Sequence, residues 1–477
     1  MRDGEMRWCR AEGRPPSLTW MGRKARRGER PVDRTGANPS KAGLPLLAVL
    51  LVLRLGLAIP IAHNPNAAIL GDSPGYVSLA TSLVQGDGYT GGPGSSADLA
   101  RPPGYPAFLA AVFLTLGREA WKIVLAQQAL GIVVCAALYW IGREVGWPRL
   151  GLAAALIFSL MPNPALWSMV IVTEALFTAL IVVGCACLVR YLVRGSSPAL
   201  LGTGLLLGAG ALVRPVGLVL LPVWVLLVFL RRRSGGPRRA IAGGVTLLVL
   251  AFLLTTLPWM VRNQRVWGVL TVSSIGNWNL GYYIASATLA DADHIPLEEA
   301  RERIPISSVP QPGDTAEYLR VLFAHPISFL KTYISGTFST LFGYGRTNLQ
   351  AILGEPYPVG DILGAQRAGG VSGAWVRFVQ GLRDPDQLRG LASAAILMSF
   401  PILVYLFAAR GILRLWRNGG TARILALVSV ATIASLLLPV GQVGNARFRV
   451  PIEPFLAVLA AGLLTPQLHS ESPSRTS

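Results

Sequence analysis

Charge is what this sequence lacks most. Only 14% of its 477 residues are Asp, Glu, Lys or Arg, whereas an ordinary soluble domain carries about 25%. With 52% hydrophobic residues and a mean hydropathy of +0.49, the chain cannot cover a water-facing surface, and a cytosolic enzyme is excluded. Lysine is scarcer still. Four residues (Lys24, Lys41, Lys122 and Lys331) supply all the lysine among 43 basic positions, so the net charge of +19 is an excess of arginine. Cysteine is nearly absent: Cys9 lies in a basic N-terminal stretch, and Cys135, Cys185 and Cys187 sit inside apolar runs. That distribution gives neither a disulfide framework nor a zinc spacing. The four histidines, His63, His294, His325 and His469, are too scattered to form a metal set by sequence. HExxH, GxSxG and the glycine spacing of a phosphate loop are all missing, which removes the chemistries those motifs carry.

Long apolar runs are what the sequence has. A bilayer core needs about 20 mainly apolar residues per helix. Ten stretches approach this: 43–62, 123–142, 150–166, 174–193, 198–213, 216–230, 240–257, 389–409, 422–440 and 450–466. The expected fold is an all-α polytopic membrane protein of about ten transmembrane helices, with interfacial helices and an outward-facing loop domain. Basic residues of short loops mark the cytoplasmic side. Placing the N-terminus inside puts Arg143, Arg149, Arg190, Arg194, Arg231, Arg232, Arg233, Arg238, Arg239, Arg410, Arg414, Arg417 and Arg423 all on that side. The arrangement requires that 105–117 and 325–345 do not span but lie in the outer interface.

The chain then divides into a basic, disordered cytoplasmic arm (1–42, with Met21 as an alternative start), a transmembrane bundle (43–258) with a first outer loop (63–122), an extracytoplasmic loop region (259–388), C-terminal transmembrane helices (389–466) and a cytoplasmic tail (467–477). Both termini are expected in the cytoplasm. Because the basic excess mainly sets orientation, no nucleic-acid partner is implied, and the polar mass points to work at the outer face.

Residues able to do chemistry collect at that outer boundary. Asp72 precedes Ser73-Pro74, which reads as a helix start, and Tyr76 follows one turn later. Asp72 is then either a plain N-cap or a functional carboxylate. Glu174 opens the fourth apolar span, where it would complement the helix dipole or supply a second carboxylate for acid/base or metal chemistry. Arg54 lies within the first span, where it faces the bundle or snorkels outward. Arg214 (in LVRP), Arg262 (in PWMVRN), and Arg447 and Arg449 (in RFRVPIEP) lie at the same level. Arginines converging there suit an anion, and in a membrane a lipid phosphate, because the guanidinium fork binds phosphate oxygens in pairs. RPPGYP from Arg101 fixes φ three times and reads as a rigid turn. Trp259, Trp267, Trp278, Tyr282 and Tyr283 read first as an interfacial belt and second as a sugar-stacking surface.

Together, D-x-x-x-Y at Asp72 and Tyr76, RPPGYPAFLA from Arg101, TEALF around Glu174, LVRP at Arg214, PWMVRN from Pro258 and RFRVPIEPFLAVLAA from Arg447 resemble the C-type membrane glycosyltransferases over about 44–465. The similarity is to dolichyl-phosphate-mannose protein mannosyltransferases and lipid A aminoarabinose transferases in particular. The resemblance implies a bacterial inner-membrane enzyme that moves a sugar from a polyprenyl-phosphate donor to an acceptor hydroxyl at the outer face, with inversion. It makes Asp72 the general base, with Glu174 positioning the acceptor or the surroundings of Asp72. Arg214, Arg447 and Arg449 would steady the leaving phosphate, joined by Arg54 and Arg262, with Tyr76 and Arg101 completing the donor contacts. The sequence departs from many relatives at Ser73, where they carry Glu. Partners implied are the lipid-linked donor, membrane lipids and an acceptor left open among protein, lipid and wall glycan. No cofactor is called for, and a divalent metal, magnesium or manganese, stays open. The rival reading is a transporter or flippase of lipid-linked sugars, which would place ionisable groups near the midplane and show paired repeats; the acids here cluster at the boundary. The topology predicts that a reporter fused after Arg239 reads out as cytoplasmic and one fused after His294 as external.

Overall fold

Apolar runs become helices here; a proline ends the run at Pro162 and Pro215, whereas Pro258 and Pro401 lie inside long helices. The computed structural model describes residues 40–92, 94–230, 238–306, 309–311, 313–343, 385–441 and 444–465. Six helices in it are long and apolar enough to cross a membrane: Gly43–His63, Ala120–Glu144, Glu174–Arg194, Ile241–Trp267, Leu397–Asn418 and Gly420–Val440. Among the described residues the sole strand-like pairing is an isolated bridge between Thr90 and Ala97. The chain is an all-α polytopic membrane protein, as its composition requires.

In chain order the helices are α1 (Ser40–Gly56), α2 (Ala58–His63), α3 (Ser73–Gln85), α4 (Gly104–Thr115), α5 (Ala120–Glu144), α6 (Pro148–Leu160), α7 (Pro162–Trp167), α8 (Glu174–Arg194), α9 (Ser197–Val213), α10 (Leu220–Leu230) and α11 (Arg238–Trp267). There follow α12 (Ile275–Asn279), α13 (Ser286–Asp293), α14 (Leu297–Arg303), α15 (Asp314–Ala324), α16 (Pro326–Phe342), α17 (Pro385–Asn418), α18 (Gly420–Leu437) and α19 (Glu453–Ala461). The arm before residue 40, the run Arg231–Arg233, residues 344–384 and the tail after 465 lie outside the described residues.

Two of the expected spans differ from the sequence reading. The stretch 150–166 is split into α6 and α7, because Pro162 has no amide to donate and drives Met161 into an extended conformation. The stretch 450–466 is not a lipid-facing span. It is a 3-10 turn (Ala446–Ile452), the nine-residue α19 and a second short 3-10 turn, with Pro451 and Pro454 limiting the helix. Every residue of α19 is buried, and the helix packs on α6 and α17 at the centre of the bundle. By contrast, α1 and α11 leave Val49, Val52, Leu53, Leu250 and Leu254 exposed, as lipid-facing helices do.

Small residues set a close crossing of α5 and α6. Gly142 on α5 meets Gly151 on α6 so tightly that a Cβ at Gly151 would stand 2.8 Å from the carbonyls of Leu138 and Tyr139. Small residues allow this approach where hydrophobic expulsion from water cannot drive association.

The long helices also define two polar ends. At one, the buried Glu144 closing α5 takes Arg190 at 2.8 Å and Arg194 at 2.5 Å from the last turns of α8. Glu174 opens α8 at the other end, 21 residues and about 30 Å away at 1.5 Å per residue.

Beyond that second end, α12 to α15 fold around a small core of Ala285, Ile304 and Tyr318. The 17-residue α16 carries an exposed stripe of Ile327, Leu330, Ile334 and Phe338 at helical spacing. The 12-residue α4 is too short to span. Overpacking costs about 1–3 kcal/mol, so Gly151→Leu should lower the detergent melting temperature markedly. Gly243→Ala on α11, where an added Cβ meets nothing within 4 Å, should leave that temperature unchanged.

Candidate active site

The site is assembled from the ends of helices, and glycine or proline makes the ends at α3 and α9. Gly71, with φ +50, turns the chain into α3. Ser73 then closes the preceding turn, accepting from the Leu70 amide at 3.1 Å and donating to the Leu70 carbonyl at 2.7 Å. Asp72 occupies the N-cap position of α3 but makes no capping bond. Its carboxylate is half-exposed and aimed elsewhere. Arg214 is the C-cap of α9. As the residue before Pro215 it is forced out of the helical region (φ −141, ψ 120), which ends the helix and turns the side chain inward.

Glu174 in the first turn of α8 is fully buried, and it is the hub of the cluster. Arg214 Nη1 donates to Glu174 Oε1 and, at 3.3 Å, to the Thr173 hydroxyl. Arg447 Nε donates to the same Glu174 oxygen at 2.8 Å, while its Nη2 reaches Asp72 Oδ2 at 3.1 Å. Arg447 therefore bridges the two carboxylates. Its amide is held by the Asn445 side chain at 3.0 Å, at the start of the 3-10 turn. Phe448 lies between the two arginines, with each guanidinium 5.2 Å from the ring centre. Burial alone would lower the Arg447 pKa, but Glu174 and Asp72 outweigh it and hold the group well above its ordinary value. It stays charged at any working pH.

Tyr76 packs edge-on to Tyr105 with ring centres 5.0 Å apart. Burial, reinforced by Asp72, pushes its phenol up to about 12, so it remains a neutral donor. Arg101 lies over the outer side of Tyr76, 5.6 Å from the ring, and pairs with Asp98 at 3.3 Å. A Cβ at position 75 would come within 2.7 Å of the Arg101 guanidinium, so a larger residue there would have to displace that side chain.

The structure thus brings together Asp72, Tyr76, Glu174, Arg214 and Arg447, with Arg101 at the edge. Three arginines from the sequence reading are engaged elsewhere. Arg54 is buried against Gln128 at 3.0 Å and over Phe158. Arg262 donates to the Asp98 carbonyl at 3.1 Å beneath Tyr89 and Trp259, bracing the turn that carries Arg101. Arg449 is buried against Glu453 at 2.6 Å and the carbonyls closing α16. Sequence reasoning passed over Gln127. It receives the Tyr105 hydroxyl at 2.5 Å and donates to the Ser168 and Val170 carbonyls, fixing the loop before Glu174. Its signal was visible: two adjacent glutamines inside an apolar span. Among the described residues no three His, Cys, Asp or Glu side chains gather closely enough to hold a metal ion.

Residues 100–259, which include Arg101, Glu174 and Arg214 but not Asp72 or Arg447, match the family model described as dolichyl-phosphate-mannose-protein mannosyltransferase. The chain thus resembles the C-type membrane glycosyltransferases.

Solved structures were compared as well. The archaeal oligosaccharyltransferase AglB from Archaeoglobus fulgidus, in complex with an inhibitory peptide and a dolichol-phosphate, aligns at 13% identity over 88% of this chain and 50% of its own, with a TM-score of 0.48. ArnT from Cupriavidus metallidurans bound to undecaprenyl phosphate aligns at 14% identity over 88% and 76%, with a TM-score of 0.38. The S. cerevisiae protein O-mannosyltransferase Pmt1-Pmt2 complex bound to the sugar donor aligns at 17% over 56% and 37%, with a TM-score of 0.37. The chain spans about half the length of the oligosaccharyltransferase. No curated protein matches the chain.

Removing one partner of a buried pair costs about 3–5 kcal/mol because the other charge is left unpaired. Glu174→Ala, which strands Arg214 and leaves Arg447 only the half-exposed Asp72, should destabilise the protein by about that amount in denaturant titrations. Asp72→Asn breaks a half-exposed pair and should cost no more than about 1 kcal/mol.

Proposed function

We propose that the protein is an inverting glycosyltransferase that moves a sugar from a polyprenyl-phosphate donor to an acceptor hydroxyl at the outer face of the membrane. The observation that carries this reading is the bridge Asp72–Arg447–Glu174–Arg214, which puts a half-exposed carboxylate beside two arginines anchored on a buried glutamate. As the acceptor oxygen attacks the anomeric carbon, its proton passes to Asp72. The bond from that carbon to the phosphate oxygen breaks on the opposite side, and its electron pair leaves with the lipid phosphate. Charge then grows on the phosphate, where Arg447 and Arg214 oppose it. Glu174 aims both guanidiniums and does not itself meet the substrate. Arg101 and Tyr76 line the approach.

The resting site adds one step to this scheme. Arg447 occupies Asp72 Oδ2. An arriving phosphate competes for the same guanidinium, so donor binding releases the carboxylate to act as base. Donor therefore precedes acceptor. On this reading the membrane is a bacterial inner membrane, the site is extracytoplasmic and both termini are cytoplasmic. Arg54 and Arg449, buried inside the bundle, are not donor ligands in this scheme, and Arg262 supports Arg101.

The test uses purified protein in nanodiscs with a panel of polyprenyl-phosphate sugars and membrane extract as acceptor source. Asp72→Asn should lower kcat by about 10²–10⁴-fold, the usual contribution of a general base, with donor affinity retained. Transfer at the wild-type rate by a folded Asp72→Asn protein sinks the assignment. Movement of lipid-linked sugar between vesicle leaflets without any transfer would instead establish the transporter reading.

A further inference from the structure

Arg449 sits two residues from Arg447 and does something different with its charge. Its side chain is 2% exposed, and its Nε donates to Glu453 Oε1 at 2.6 Å. Its Nη1 donates to the carbonyls of Thr340, at 3.5 Å, and Leu341, the last turn of α16. Those carbonyls have no partner within a helix that ends at Phe342. The Tyr405 hydroxyl on α17 donates to the same Leu341 carbonyl at 2.7 Å. Asn163 at the start of α7 completes the lock, donating to the Ala446 carbonyl at 3.1 Å and to Glu453 Oε1 at 3.0 Å. One seven-residue 3-10 turn therefore faces two ways. Arg447 points to Asp72 and Glu174, and Arg449 holds the outer helix α16 and the bundle core.

We propose that Arg449 is a positioning residue: by clamping the end of α16 to Glu453, it fixes the turn that presents Arg447, so the anion site is complete only while α16 is seated. The inference rests on the reading of Arg447 as a phosphate ligand. The physical case is that a 3-10 turn has poorer hydrogen-bond geometry than an α-helix and does not hold a long side chain in place by itself. Here the restraint comes from buried, charge-assisted bonds on its opposite face. The exposed apolar stripe of α16, Ile327, Leu330, Ile334 and Phe338, is the surface through which an outer-leaflet seat would be transmitted to the turn.

The test measures undecaprenyl phosphate binding by the full chain in nanodiscs, with spin labels at the exposed positions Ile327 and Leu160 reporting the seat of α16. Two variants loosen the clamp without stranding a charge: Tyr405→Phe, and the pair Arg449→Met with Glu453→Gln. The pair should weaken binding roughly tenfold, a coupling typical of residues in one network, and should broaden the label distance distribution. Tyr405→Phe should do both to a smaller degree. Added to Arg447→Ala, the pair should cause no further loss, because it acts through Arg447.

Wild-type affinity in both clamp variants, an unchanged distance distribution despite lost affinity, or losses that simply add to that of Arg447→Ala each overturn the proposal. If Arg447→Ala alone binds like wild type, the phosphate assignment of the previous section fails instead.

Discussion

A single buried carboxylate organises the outer end of this protein. Glu174 has no contact with solvent, and a charge in that position is tolerable only with partners around it. Those partners come from distant parts of the chain: Arg214 from the end of α9 and Arg447 from a turn 273 residues downstream. Glu174 therefore binds three segments into one surface and sets the direction in which two guanidiniums point. Asp72 joins as the outermost member, close enough to share Arg447 and exposed enough to meet a substrate. The order of burial, Glu174 innermost and Asp72 outermost, separates the residue that ties the cluster together from the one at its solvent edge.

The two ends of the bundle solve the same problem with different outcomes. Glu144 at the opposite end is also buried and also takes two arginines, both from α8. There both arginines come from one helix and the cluster fastens α8 to α5. At the Glu174 end the arginines come from separate elements, and a second carboxylate competes for one of them. That shared contact is absent at the Glu144 end, where both arginines meet a single carboxylate.

Much of the fold was legible in the sequence, because hydrophobic runs of membrane length have few other fates. The end of α9 was legible too: LVRP contains both the residue that ends the helix and the one that is turned inward. The roles of the arginines were less so. Arg447 and Arg449 are two residues apart in one turn and look equivalent in sequence, yet one bridges carboxylates at the surface and the other closes the end of α16. Only the three-dimensional path of the turn separates them. Arg54 was ambiguous for a similar reason, since its partner Gln128 is 74 residues away. The stretch 450–466 was misread because hydropathy reports that a segment avoids water, not whether lipid or protein surrounds it. Its prolines, its charged Glu453 and the adjoining Arg449 were the local signs of the difference.

That late segment bears on how the molecule is made. A membrane helix handed from the translocon into lipid is stable on its own and then finds neighbours. The nine residues of α19 are too short for that route, and Glu453 with Arg449 would be costly in hydrocarbon. The segment must enter a groove already formed by α6 and α17, so earlier helices wait with their central contacts unmade. Assembly of the bundle is thus completed from the distal end of the chain, and the same event delivers Arg447 to Glu174. Seating of this segment and completion of the cluster become one step, so a half-built bundle leaves Glu174 with Arg214 alone.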